Sequence, residues 1–318
     1  MKRKYFIGML LCAAFCAAVD LWIVRSVSAR LLAASLCVAV DILVLFCFCK
    51  RGSFLKLPKT LFRSRGILWS LACNDFRSRF AGSLFGSVWA FVQPTVTMVL
   101  YWFVFAVGLR SGRSVSEYPF ILYLMCGLIP WFYFQEAWNG GTNSMLEYSY
   151  LVKKVVFQID ILPAMKIISA IFVHLFFIGF VIVSCCLYGY YPSVYALQIL
   201  YYLACNCLLL VGMTYLTSAC ALFFRDVSQV VTVALSIGVW VTPIMWNPAA
   251  TMSPTMQTVL KINPVYYIVD GFRDALLTKV WFWDKPLWTI WFWVFTIALY
   301  CLGVSAFYKL KQHFADML

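Results

Sequence analysis

The sequence predicts an all-α polytopic membrane protein, and three observations predict it. Hydrophobic residues make up 64% of the chain and charged residues only 12%, whereas a soluble domain is about one quarter charged. The apolar residues fall in runs of about 20, the length a helix needs to cross a bilayer and too long for barrel strands. The Lys and Arg residues gather between those runs, above all in residues 2–4, 50–79 and 153–166. Mean hydropathy is +0.87.

The apolar runs lie at about 5–24, 31–49, 86–109, 118–142, 164–188, 194–224, 230–247 and 287–308. With the first residue inside, the basic segments fall mostly on the inner side, which puts both termini in the cytoplasm. The net charge of +13 then reflects orientation and contact with anionic membrane lipids; no nucleic acid partner is expected. No soluble catalytic domain fits between the runs. Three parts follow: a transmembrane hairpin at 1–50, a basic linker with an amphipathic interface helix at 51–82, and the main transmembrane domain at 83–318.

Taken in order, the first run follows Lys2-Arg3-Lys4 and resembles a secretory leader, but the second run comes at once, which favours a helical hairpin. Asp20 lies near an outer end beside Arg25. Asp41 lies mid-run, where a charge costs roughly 2.5–3.5 kcal/mol and needs a proton, a partner or a protein-facing position. The hairpin is expected to pack outside the core. Residues 66–80 form a helix in the inner interface, with Leu68, Ala72, Phe76 and Phe80 on one row and Asp75 four residues before Arg79 as a helix ion pair.

The run at 86–109 contains Pro94, which removes a backbone hydrogen bond, and carries Tyr101 and Trp102. The next run carries Glu136, which must face protein or a wet cavity. Trp131, Phe134 and Trp138 recur on it at helical spacing, a pattern that serves either packing or sugar stacking. Residues 149–156 form a short helix that carries Tyr150, Leu151, Lys153 and Lys154, flanked by Glu147 and Asp160, with Phe157 just beyond it. The run at 194–224 ends in Phe223-Phe224-Arg225-Asp226-Val227. Ser253-Pro254 and Asn263-Pro264 each place a capping residue before Pro, and predict helices at 254–262 and 264–279 on the outer side. Trp281, Trp283, Trp288, Trp291 and Trp293 read as an interfacial aromatic belt.

The thirteen cysteines lie nearly all within apolar runs, as small hydrophobes. No CxxC pair accompanies the two histidines, and His174 reads as a core residue, so no metal site is expected. There is no GxxxxGK[ST] loop, GxSxG or HExxH. If ATP supplies energy, another polypeptide must bind it.

Three separated motifs, CGLIPW at 126–131, FQEA at 134–137 and LVKKVVFQIDILP at 151–163, occur in one order. Leu84, Gly86, Trp89 and Pro94 precede them. With these motifs residues 66–310 resemble the type-2 ABC permeases that export lipid-linked polysaccharide: O-antigen, capsule or teichoic acid. Two departures stand out: one extra residue between Leu84 and Gly86, and Gln158 where the family usually has Pro.

The resemblance implies a six-helix type-2 ABC exporter core, with the N-terminal hairpin added, and short extracytoplasmic re-entrant helices. It implies a transport permease and not an enzyme, working as a homodimer in the bacterial inner membrane with two copies of a separate ATPase. That ATPase would hold ATP and Mg, and this chain would hold no cofactor. Tyr150, Leu151, Lys153, Lys154 and Phe157 would couple to it, with Arg225 and Asp226 as a second contact. Tyr101, Trp102, Trp131, Phe134, Glu136 and Trp138 would line the channel for a lipid-linked glycan. Asn263, Pro264, Tyr266, Tyr267, Asp270 and Arg273 would form the outer gate, with Arg273 pairing Asp270 and Asp274. The same body plan also suits a type-2 ABC permease for another lipid or drug, or an ion-coupled transporter that uses Asp41 and Glu136. A membrane-embedded transferase fits less well, because no His- or carboxylate-rich interfacial cluster occurs.

Overall fold

The computed structural model describes residues 55–79, 81–108, 118–152 and 157–317. The hairpin read at 1–50, with Asp20 and Asp41, lies outside the described residues, as do Phe80, Lys153 and Lys154. Every regular element among the described residues is helical. We number them α1 (Lys56–Arg63), α2 (Arg65–Ser78), α3 (Trp89–Trp102), α4 (Phe120–Glu147), α5 (Ser149–Val152), α6 (Ile161–Leu187), α7 (Gln198–Phe223), α8 (Asp226–Val241), α9 (Pro248–Thr251), α10 (Pro254–Lys261), α11 (Pro264–Arg273) and α12 (Pro286–Leu310).

Five helical stretches are long and apolar enough to cross a membrane: Gly86–Gly108, Phe120–Glu147, Ile161–Leu187, Val194–Phe223 and Pro286–Phe314. The run read at 230–247 differs. Its helix, α8, starts earlier and stops at Val241 after 16 residues. Thr242-Pro243 breaks it, because a residue before Pro is pushed out of the helical region, and Thr242 is extended with ψ 124°. The helix read at 66–80 is α2, and the stretch before it, read as a basic linker, carries a further helix, α1, that meets α2 at Ser64.

Local chemistry explains the other boundaries. Gly86 has φ +49°, a left-handed conformation open to glycine at no steric cost, and it starts the 3₁₀ turn Gly86–Val88 that feeds α3. Pro stands at the first turn of α9, α10, α11 and α12, where its missing N–H costs nothing. Asn263 caps α11 by accepting from the Val265 N–H at 3.0 Å. Ser253 makes no side-chain cap on α10.

α4 is the central helix, buried along most of its length, with α6, α7, α8 and α11 around it. One apolar core joins α4, α6, α7 and α11. There His174 is buried and stacks on Tyr133 with ring centroids 4.7 Å apart. A second core gathers Leu57, Leu68, Ala72, Val152, Met165 and Phe307 at the end of the bundle that holds α1, α2 and α5. The opposite end holds α9–α11.

α7 and α12 cross through a pair of glycines. A methyl group on Gly303 would collide with the Gly212 carbonyl, and one on Gly212 would lie 2.8 Å from the Tyr300 nitrogen. Small residues at a helix crossing let backbones approach, which is how membrane helices gain packing where water supplies no drive. Gly303→Val should therefore destabilise the fold by about 1–3 kcal/mol, the usual cost of overpacking. The check is the fraction that stays monodisperse after heating in detergent, with Gly179→Val as control, since Gly179 faces open space.

Candidate functional site

The second core surrounds a cluster of charges. Lys166 enters α6 one turn after its start and is 5% exposed. Its ammonium sits 2.7 Å from the Asp75 carboxylate of α2 and 2.5 Å from the Glu147 carboxylate at the end of α4. Gly140 lies 3.6 Å from the lysine stem, measured from where its Cβ would be. Tyr148, the residue between α4 and α5, donates its hydroxyl to Asp75 at 2.9 Å. Asp75 also receives Arg79 at 2.9 Å. Arg79 reaches back to Glu136 of α4 and donates to Ser169 of α6 at 3.0 Å.

The cluster thus ties α2 to α4, α6 and the first residue of the α4–α5 turn. Asp75 is 2% exposed, and burial alone would raise its pKa. The Lys166 hydrogen bond and charge, with Ser169 and Arg79, outweigh that and hold it down at about 2. Sequence reasoning read Asp75 and Arg79 as an ordinary helix pair. The signal it missed was Lys166, a cation inside an apolar run, which needs a carboxylate from elsewhere.

The coupling segment is built onto this cluster. α5 is four residues long, and the residues that would extend it to 156 lie outside those described. Tyr150 is 59% exposed, while Leu151 packs on the second core. Phe157 packs there as well, and Gln158, at the position of the family's usual Pro, takes a hydrogen bond from Ser64 at the α1–α2 hinge. Between them lies a cleft of 460 Å³ lined by Arg63, Ile67, Phe157, Gln158 and Ile161. Asp160 is gripped by Lys311 and by the Tyr308 hydroxyl at 3.1 Å, so the C-terminal segment braces the start of α6. Arg225 and Asp226 are exposed at the α7–α8 turn. They stand at the same end as α5, because Ser228 bonds Asn143 of α4 at 2.6 Å.

The aromatic residues expected to line a channel divide. Trp131 and Phe134 are each 2% exposed, with Trp131 packed against Gly238 of α8. Trp138 is half-buried against Phe134. Trp102 of α3 is exposed and Tyr101 half-buried.

At the opposite end the expected pairing is replaced. Arg273 meets neither Asp270 nor Asp274; its guanidinium donates to the Ile244 carbonyl at 2.9 Å and lies 3.6 Å over the Tyr123 ring. It fits there because position 127 is glycine, whose Cβ would stand 2.9 Å from it. The aspartates share Lys285 instead, at 2.8 and 2.5 Å. Spacing alone would let Arg273 meet Asp270 one turn back, but its guanidinium is taken up by the Ile244 carbonyl and the Tyr123 ring of α4, which leaves both aspartates to Lys285. Lys285, hidden in the Trp-rich stretch, was not singled out. Asn263 also donates to Thr242 at 2.9 Å, Tyr267 bonds Tyr201 and Thr289, and Tyr266 is buried beside Pro264 at the start of α11.

Lys166→Met would leave Asp75 buried without its ammonium and should cost about 3–5 kcal/mol. The double variant D75N/K166M should recover part of that loss in a thermal-unfolding cycle. Because the Asp75 pKa is depressed on folding, its contribution is complete above the ordinary aspartate range near pH 4 and is lost as pH falls toward about 2. D75N should therefore lose less stability than the parent across that acid window, read as the midpoint of unfolding against pH.

Comparison with known proteins agrees with this architecture. The chain is 24% identical over 220 residues to the O-antigen export system permease protein RfbA of Myxococcus xanthus, covering 69% of this chain and 83% of that protein. It is 25% identical over 267 residues to the protein of the same name from Klebsiella pneumoniae, covering 83% and 99%. It is 21% identical over 209 residues to the polysialic acid transport protein KpsM of Escherichia coli, covering 65% and 80%. The ABC-2 type transporter family matches residues 67–277, and with these helices in that order the chain belongs to the ABC-2 type transporter family.

Proposed function

We propose that this chain is the membrane permease of an ABC exporter that moves lipid-linked polysaccharide across the bacterial inner membrane, with both termini cytoplasmic. Three relatives carry names of O-antigen export or polysialic acid transport. In this reading two copies pair to enclose the conduit, and two copies of a separate ATPase bind ATP and Mg. The single observation that carries the mechanism is the Asp75–Lys166–Glu147 cluster beside α5.

The ATPase grips the exposed face around Tyr150, the adjoining Lys153 and Lys154, and the Arg225–Asp226 turn. Leu151 and Phe157 face inward, so they seat the segment rather than touch the partner. A push on α5 passes through Tyr148 and Glu147 to Lys166 and Asp75, and so moves α2 with the ends of α4 and α6. A packed and ion-paired junction moves as a body, whereas a floppy loop would absorb the push. At the other end α10 and α11 close the conduit, held by Arg273 under Gly127 and by Lys285 on its two aspartates. Tyr101, Trp102 and Trp138 are placed to meet sugar rings, while Trp131 and Phe134 set the packing of α4 on α8.

An ion-coupled carrier would need a carboxylate free to take up and release a proton. Glu136 is instead held by Arg79, which favours the ABC reading. Purification in mild detergent should yield a stoichiometric ATPase that is lost when Lys153 and Lys154 are both changed to Glu. Depletion of the protein should leave lipid-linked glycan inside the cell. An active complex with no nucleotide-hydrolysing companion would overturn the proposal.

A further inference from the structure

α4 crosses the bilayer with amide side chains open at its middle. Gln135 lies near the midpoint of the 28-residue helix and Asn139 one turn nearer its inner end, and both are exposed. Asn143 continues the same face one turn further on. In hydrocarbon an amide without a partner is strongly disfavoured, and polar side chains at that depth turn to protein or to water. The Ser and Thr residues of α8 give no such signal, because Thr232 and Ser236 bond the carbonyls one turn back on their own helix.

The amides are also oriented. The Gln135 oxygen accepts from the Trp131 indole N–H at 3.1 Å. The Asn139 oxygen accepts from the Asn143 amide at 3.3 Å, and the same donor reaches the Asn139 carbonyl at 3.0 Å. Their oxygens are occupied, so each presents its NH₂ group outward, and among the described residues those two NH₂ groups meet no acceptor. Buried Trp131 thereby has a use that its sequence position did not disclose: it fixes the rotamer of the amide one turn on.

We infer that the Gln135–Asn139 face of α4 lines an aqueous conduit and donates hydrogen bonds to the hydroxyl and ring oxygens of a polyol cargo. The inference rests on the export reading above and names its contact surface. The chemistry suits transit. A neutral amide donor exchanges readily between water and sugar oxygens, and its net hydrogen bond is weaker than that of a charged donor. Nothing on this face selects an anion, so neutral and acidic sugars are both admitted. Glu136, next in sequence, is withdrawn to Arg79 and does not repel acidic sugars as a free carboxylate would.

The test uses the full permease with its partner in membranes. Thiols introduced by Gln135→Cys and Asn139→Cys are exposed to a charged, membrane-impermeant maleimide and scored on their own peptides by mass spectrometry. Leu175→Cys on the exposed apolar face of α6 is the dry reference. The inference expects both α4 thiols to label and the reference not to. In parallel, Q135L/N139L should assemble with the partner normally yet export roughly tenfold more slowly, the loss expected from two neutral hydrogen bonds, while Q135S/N139S keeps most of the rate. Labelling no faster than at Leu175 places the stripe away from water and overturns the inference. Normal export by Q135L/N139L overturns it too. The labelling arm needs no cargo, so it stands even if the exported molecule is not a glycan.

Discussion

A lysine ammonium buried between two carboxylates governs the end of the bundle where α1, α2 and α5 meet. Lys166 rises from α6, Asp75 comes from α2 and Glu147 from the last turn of α4. Such a group adds little net stability over an apolar core, because taking the charges from water offsets their attraction. Its consequence is geometric. Sliding α2 against α6 would strand a charge in a dry site, so those two helices keep one register, and the half-exposed Glu147 ties the end of α4 to them. Arg79 extends the constraint to Glu136, about three turns up α4, and Tyr148 extends it down to the start of α5. The apolar contacts of Leu68, Ala72 and Val152 fill the space around it.

The far end repeats the device with different parts. Lys285 holds Asp270 and Asp274, and Arg273 is seated on the Tyr123 ring and the Ile244 carbonyl. At the outer end a glycine of α4, Gly127, makes room for Arg273; at the inner end Lys166 lies in ordinary contact range of Gly140. The central helix is therefore held at both ends by long basic side chains, with aromatic and aliphatic packing between. Burial pushes the Asp274 carboxyl up, with the nearby Asp270 charge adding to the rise.

Much of the architecture was legible because lipid imposes strong rules. Apolar runs of about 20 residues marked the helices, and Asn263-Pro264 marked the start of α11. The stop of α8 at Val241 was misplaced because hydropathy continues through Ile244 and Met245, while the break comes from Thr242-Pro243 geometry. The motif around Glu136 was recognised, but its partner was not, since Arg79 lies 57 residues away and no periodicity links them. The aromatic stripe on α4 was read by residue type. Its exposure, which separates Trp131 from its neighbour Gln135, depends on where α8 crosses, and one helix seen alone does not contain that. The expectations on residues 1–50 and on Lys153 and Lys154 lie outside the described residues.

The glycine crossing of α7 and α12 bears on how the molecule comes together. Gly212 and Gly303 face each other, and the stretch of chain between them contains α8 to α11. A ribosome must deliver all of that before the seam can close. Until then the Gly212 groove stands open to lipid or to a membrane chaperone. Biogenesis thus has a late step that fastens the fold.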